Sequence, residues 1–283
     1  MKRKMKETDF DYGDLPSNRF QVFFDVLKLR WKTFFLLGFF LLLGFLPLLA
    51  VIFIRDNYVL SLSYRVAREE MTAVDANSLN LKAHFTAACI SSVCLFISAL
   101  PICGAIRVIR QMVWGEPLFF KEDFLLGIKT LYKHACIVCV FVAAILILDA
   151  FMPFMSDNSI LCALPFVLFL AFIVPPLLFA IFQSSIYQGS FFQFYKNGIL
   201  FYIKEFPKTV LFNLLLLCPC FLGFMTSFLV VKYILLLVLI FSFLPYAIMA
   251  NSLFYNSVFD RYINETNYPE LVHKGFVPKE DKK

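Results

Sequence analysis

Charge is scarce in this sequence. Asp, Glu, Lys and Arg make up 16% of its 283 residues, against roughly a quarter in soluble globular chains. A chain with so few charges cannot clothe a water-facing surface. Histidine is scarcer: His84, His134 and His273 are the only three. None has ligand spacing, an HExxH run or a companion carboxylate pair. A P-loop, a GxGxxG fingerprint and a GxSxG elbow are all missing. Catalysis therefore has no visible foothold. No catalytic, cofactor or metal residue is expected, and the chain is read as a non-enzyme. Nor is a cleavable signal peptide expected. The first apolar run begins only at Thr33, after a long charged leader without a small-x-small cleavage site. The net charge of +6 is mild, so nucleic acid is not an expected partner.

Apolar residues take the place of charge. They make up 60% of the chain, including 37 Phe and 12 Tyr, and the mean hydropathy is +0.77. Such a chain cannot hide its apolar surface in one water-soluble core, so the expected solvent is the lipid bilayer. Six runs are long enough for about 30 Å of hydrocarbon, which takes roughly 20 helical residues. They are Thr33–Ile54, Phe85–Ile106, Ala135–Met155, Ile160–Phe182, Thr209–Val231 and Tyr233–Phe254. Backbone groups in lipid must be satisfied within the segment, which makes these helices and not strands. The expected fold is an all-α polytopic bundle of six spans in three hairpins, with amphipathic interfacial helices.

Orientation follows from the basic residues. Twenty-one of the 26 Lys and Arg fall in the leader, in the second and fourth connections and in the tail. Arg55, Arg65, Arg68, Lys82 and Lys232 are the five on the opposite side. Both termini are therefore expected to be cytoplasmic, in a plasma membrane. The organisation reads as a leader with an amphipathic helix over 1–32, a membrane domain over 33–258 and a tail over 259–283. The hairpin units are about 20–116, 117–190 and 191–258. The outer connection Arg55–His84 is long enough to fold, whereas those around Ser156–Ser159 and Lys232 are very tight.

The units resemble one another. Phe120 through Lys133 before the third span aligns with Phe191 through Lys204 before the fifth, matching Gly127-Ile128 to Gly198-Ile199. Lys28-Leu-Arg-Trp31-Lys32 gives a shorter match before the first. Each unit reads as an interfacial helix, a basic–aromatic edge, a span, an outer turn and a returning span. The amphipathic segments are Phe20–Lys32, Pro117–Lys133 and Phe191–Lys204. Their cations, Lys121, Lys129 and Lys133 among them, serve as topology signals with snorkelling stems, or bind anionic lipid at the inner face.

Few residues inside the spans carry chemistry. Asp149 is the only ionisable one well inside, and a mid-membrane charge costs about 2.5–3.5 kcal/mol on insertion scales. It lies near Pro153 and the outer end. A wet helix-end aspartate and a functional carboxylate are both open readings, and no membrane-embedded cation is evident as its partner. Every span contains a proline, which frees a carbonyl and can kink a helix. Pro175-Pro176 is expected to break the fourth span. The eight cysteines, Cys136-x-x-Cys139 and Cys218-Pro-Cys220 included, are read as small apolar packing residues.

One stretch resembles the YesL family of bacterial membrane proteins. It comprises Leu100-Pro101, Gly104-Ala105, Arg107-Val-Ile-Arg110, Gly115-Glu116 and Phe119 through Asp123-Phe124 with Gly127 and Lys129. In that family a span ends in Pro and Gly-Pro-Ala-like residues. A basic helix, a Gly-Glu turn and a Phe-rich helix follow. Here Cys103-Gly104-Ala105 lacks the Gly-Pro step, and Arg55–His84 looks like an insertion. Family members are small integral membrane proteins without settled function, many from sugar-uptake and polysaccharide-use gene neighbourhoods. The resemblance implies a non-enzymatic accessory or regulatory role in carbohydrate or solute uptake, beside a membrane transport permease. The residues themselves leave a second reading open, an autonomous small-solute transporter or channel with Asp149, Pro175 and Pro176 facing a water-lined path. A lipid-modifying enzyme ranks last.

Overall fold

The structure is a computed structural model that describes residues 16–155, 158–224 and 228–278. It leaves out the side chains of Ser159, Leu217 and residues 220–224. The charged leader up to position 15 and the last five residues lie outside it. All regular structure among the described residues is helical. An amphipathic helix, α1 (Arg19–Leu29), is followed by two very long ones, α2 (Trp31–Ala67) and α3 (Ala73–Val113). Next come α4 (Phe120–Phe151), α5 (Ser159–Leu168) and α6 (Val174–Ser184), then α7 (Phe191–Lys204) and α8 (Phe206–Phe224). The last are α9 (Leu229–Val238) and α10 (Leu244–Phe259). Five helical stretches are long and apolar enough to cross a membrane: Trp31–Ala67, Ala73–Trp114, Phe120–Phe154, Ile160–Ser184 and Leu229–Asn267. The protein is thus an all-α bundle of multi-pass membrane type. The apolar helix α8 matches the start of the expected fifth run, Thr209–Val231, of which positions 225–227 lie outside the described residues.

Several expected boundaries move. The outer connection Arg55–His84 is not a separate folded loop. Instead α2 and α3 run on through it and meet at a turn over 68–72. At 1.5 Å per residue, the 37-residue α2 is about 55 Å long, nearly twice a hydrocarbon core. Glu69 at φ 60° ends α2, and Thr72 starts α3 by accepting from the Asp75 amide at 3.2 Å. Lys232, assigned from sequence to a tight turn, lies inside α9. The segment Pro117–Lys133 is not a free interfacial helix, because Phe120–Lys133 is the first part of the continuous α4. By contrast α1 and α7 are separate helices, ending at Arg30 and Glu205.

Pro175-Pro176 does not break the fourth span. A π-helical turn, Phe169–Ile173, precedes it and places both prolines in the first turn of α6, where a missing amide costs nothing. The Ala171 carbonyl, four residues before Pro175, accepts instead from the Tyr202 hydroxyl of α7 at 2.6 Å. The same solution recurs at the sixth span, where the π turn Leu239–Phe243 leads into Leu244-Pro245. In the second span Pro101 sits within continuous α3.

Glycines and prolines meet where helices cross. A Cβ on Gly44 would fall 2.3 Å from the Pro101 ring, one on Gly198 2.6 Å from the Pro176 carbonyl, and one on Gly38 2.0 Å from the Phe241 carbonyl. The aligned Gly127 crosses α3 at the Cys103 carbonyl. Gly127 and Gly198 thus do equivalent work, each letting the incoming segment of one unit cross the returning helix of the unit before, just beyond its proline. Tyrosines one position apart in the alignment also tie these helices, Tyr132 to the Phe96 carbonyl at 3.3 Å and Tyr202 to that of Ala171. These parallels give the internal repeat a structural basis.

The returning helices α3, α6 and α10 form the centre. Their buried side chains, Val108, Val113, Phe179, Tyr255 and Phe259 among them, are at most 1% exposed. The incoming helices surround them and turn large apolar side chains outward, such as Phe35, Val140 and Leu215. Both described termini lie at one end of the bundle. There the Pro16 carbonyl accepts from the Val277 amide at 3.0 Å, and Arg19 pairs with Asp260.

Candidate functional site

The bundle opens at the end away from the termini. A cavity of about 470 Å³ lies there between α2, α3 and α4. Its walls are mostly apolar, from residues such as Leu48, Ile52, Leu95 and Leu146. Set among them are Arg55 from α2, Asn80, His84 and Ser91 from α3, and Asp149 from α4. The α3 residues share a wall because they lie on one face, spaced by four and then seven positions. Asp149 is brought in by Pro153. Without an amide, that proline removes the helical donor of the Asp149 carbonyl and tightens the chain into the 3₁₀ turn Met152–Phe154. Pro153 and Ala150 complete the wall beside it.

The cavity holds the groups needed to bind a polar solute. Asp149 of α4 and His84 of α3 both line it, with no ion pair or hydrogen bond between them among the described residues. The Asn80 carboxamide oxygen is buried without a hydrogen-bond partner, so an acceptor stands ready for a ligand donor. Arg55 bonds Asp56 through Nε and Nη2 at 2.9 and 2.6 Å. The other oxygen of Asp56 accepts from Lys232 Nζ at 2.6 Å and the Tyr233 hydroxyl at 3.1 Å. That network fixes α2 to α9 and orients Arg55. The cavity therefore combines a guanidinium, an imidazole, a carboxylate and a carboxamide within apolar walls. It can recognise a small polar molecule that offers both donors and acceptors. Among the described residues no group of three His, Cys, Asp or Glu could hold a metal ion.

The other expected site residues lie elsewhere. Pro175 and Pro176 are buried where α6 meets α7 and do not line the outer cavity. Lys121, Lys129 and Lys133 are exposed along one stripe of α4, together with Leu125. Cys139 packs as expected, its thiol directed at the Leu95 carbonyl at 3.6 Å. Arg55, Asp56, Asn80 and His84 were missed. The available signal was Lys232, a cation in a long apolar run that needs a carboxylate nearby, and Asp56 is the acid at the matching end of the first span.

The opposite end is closed. Phe179 meets Tyr255 edge to face with ring centroids 4.4 Å apart, and Phe182 lies 5.1 Å from the same ring. Polar braces surround this aromatic plug. Arg110 donates to the Ser185 carbonyl, Gln111 to Asp123 at 2.7 Å and Tyr187 to Asn264 at 2.6 Å. Glu205 accepts from Arg261 and from Tyr262 at 3.0 Å, with Lys208 at 3.0 Å. Burial pushes the Glu205 carboxyl up, but these donors outweigh it and hold it below its ordinary value. Burial lowers the Arg19 guanidinium, against the pull of Asp260. The C-terminal segment then crosses this end. Lys274 bonds Glu116 at 2.7 Å and lies over the Trp114 ring at 4.4 Å.

No family model matches this sequence, and no curated protein or solved structure is significantly similar to it.

Proposed function

We propose that this protein is a small-solute transporter of the plasma membrane, held here with its binding cavity facing away from the side that carries the termini. The observation that carries the reading is the cavity itself. It gathers Asp149, His84, Asn80 and Arg55 from three helices around one space between apolar spans. Its volume of about 470 Å³ suits a small polar molecule. The sealed opposite end supports one half of an alternating-access cycle, in which the aromatic plug around Tyr255 opens as the cavity closes. The partition of basic residues supports cytoplasmic termini, and with them a cavity that faces outward. The chain itself performs no covalent chemistry in this scheme. The test is uptake of a panel of labelled sugars, amino acids and carboxylic acids into liposomes that hold the purified protein. Saturable uptake of one class, reduced at least about tenfold by Asp149→Asn, is the expected result. No uptake above protein-free liposomes for every class, or uptake indifferent to Asp149→Asn, overturns it.

The stripe Lys121, Lys129 and Lys133 favours a second reading. These cations are exposed and take part in none of the ion pairs found among the described residues. On this reading the chain is an accessory component of solute uptake that docks a membrane permease or anionic lipid through its inner face. The resemblance of 100–129 to the YesL family belongs with it. Charge reversal at the three lysines should then release a co-purifying permease, and an unchanged set of partners removes this reading.

A further inference from the structure

A second cavity lies in the membrane interior on the terminal side, apart from the first. It is open on one side and holds about 320 Å³ between α2, α6, α8, α9 and α10. The two cavities share no lining residue. Two of the three π-helical turns among the described residues border it, the first through Leu170 and the second through Leu239, Ile240 and Phe243. Wide turns of this kind are found disproportionately at functional sites.

The lining is apolar except for two carboxamides, Asn213 of α8 and Asn251 of α10, and it includes no charged side chain. Asn251 donates its amide to the Ala247 carbonyl of its own helix at 2.9 Å, which leaves its oxygen buried and without a partner. Asn213 turns its buried amide nitrogen toward the wholly buried Tyr255 hydroxyl without a hydrogen bond of ordinary geometry, so at least one of its two N–H groups is left to give. One unused acceptor, Asn251 Oδ1, and one carboxamide with an N–H to give, Asn213, thus line a single apolar cavity. Unsatisfied polar groups in hydrocarbon call for an occupant. A water molecule has a share of about 30 Å³ of liquid, so a water or two would leave most of this apolar space empty.

The chemistry of the two carboxamides selects the ligand. An ester or ketone carbonyl only accepts hydrogen bonds and an ammonium only donates, whereas a hydroxyl does both. The missing charge in the lining excludes an ionised headgroup. We propose that this cavity binds an uncharged long-chain alcohol, the chain lying among Leu178, Leu239 and Phe243. Its hydroxyl donates to Asn251 Oδ1 and accepts from Asn213 Nδ2. The site lies between the second and third units, next to the Tyr255 plug. An alcohol bound there would bias the opening of the closed end, which is independent of what the outer cavity carries.

The test uses the full chain in nanodiscs and a diazirine-bearing hexadecanol, with its methyl ether as the matched probe that cannot donate. Cross-linked peptides are mapped by mass spectrometry. The alcohol should label peptides of α8 and α10 about tenfold more than the ether does, and unlabelled hexadecanol should compete. Ala247→Phe, which fills the cavity without removing either carboxamide, should abolish that labelling. Asn251→Leu should erase the preference for the alcohol. Equal labelling by alcohol and ether in the unaltered protein overturns the proposal and leaves water as the occupant. Labelling no stronger than at the lipid-facing Leu211 and Leu214 overturns it as well. The comparison of probes on the unaltered protein decides the matter even if a variant fails to fold.

Discussion

At the end that carries the termini, three returning helices close on one another; at the far end, α2, α3 and α4 part around a cavity. The closed end is filled by aromatic rings and braced by side chains that bond across elements, as Tyr187 does to Asn264. The open end keeps Asp149, His84 and Asn80 on its walls. Its one tight network, Asp56 with Arg55, Lys232 and Tyr233, ties α2 to α9. The difference teaches where stability and function part company. Packing at the closed end should dominate folding, whereas the polar walls of the open end should cost little to alter and much to lose in binding.

The largest effect expected on stability is at a glycine crossing. In Gly38→Val a Cβ would sit 2.0 Å from the Phe241 carbonyl. Because the obstacle is backbone, the cost should exceed the about 1–3 kcal/mol of ordinary overpacking. Size-exclusion profiles in mild detergent should show loss of the monodisperse species, and a wild-type profile would mean that this crossing is looser than described. Next comes Lys232→Met, which removes one of the charged partners of Asp56 and should cost about 1.5–3 kcal/mol in thermal unfolding. Asp56→Asn with Lys232→Met should cost less than the two singles together. Tyr202→Phe follows, at about 1 kcal/mol, for the Ala171 carbonyl left without its donor.

The smallest effect comes from Glu205. Its folded-state carboxyl lies below the ordinary value of 4.5. Its contribution is therefore complete above that pH and is lost as pH falls through the folded value. Arg261 and Lys208 are 55% and 66% exposed, so the contribution should stay under about 1 kcal/mol. Glu205→Gln should lower the unfolding temperature slightly at neutral pH and flatten its fall below pH 4.5. An unchanged acid profile would remove Glu205 from the closure.

Much of this architecture is legible in the sequence, because lipid imposes a simple rule. Long apolar runs must be helices, and the uneven Lys and Arg placed both termini at one end. The Gly-Ile match between Phe120–Lys133 and Phe191–Lys204 pointed to a repeated unit, and the contacts of Gly127 and Gly198 make the two glycines equivalent crossings. What stayed hidden depends on tertiary partners. Pro175-Pro176 looked like a break because a sequence does not reveal that a preceding π turn and Tyr202 absorb both missing donors. The continuity of α2 through Arg55–Ala67 was masked by its polar residues, which suit a helix outside lipid as well as a loop. Asp149 was singled out, but His84 and Asn80 became its neighbours only once α3 was known to run alongside α4.

The central claim is that the far end is wet and the terminal end dry. Its most direct test is thiol accessibility in sealed vesicles, on a background without native cysteines. Single cysteines replace His84, Asp149 and Ala150 in the cavity, and Val108, Phe179 and Tyr255 in the plug. A membrane-impermeant methanethiosulfonate should modify the three cavity positions from the side opposite the termini, and should leave the plug positions unmodified from either side. Protection of all three cavity positions, or modification of the plug from the terminal side, would contradict the account.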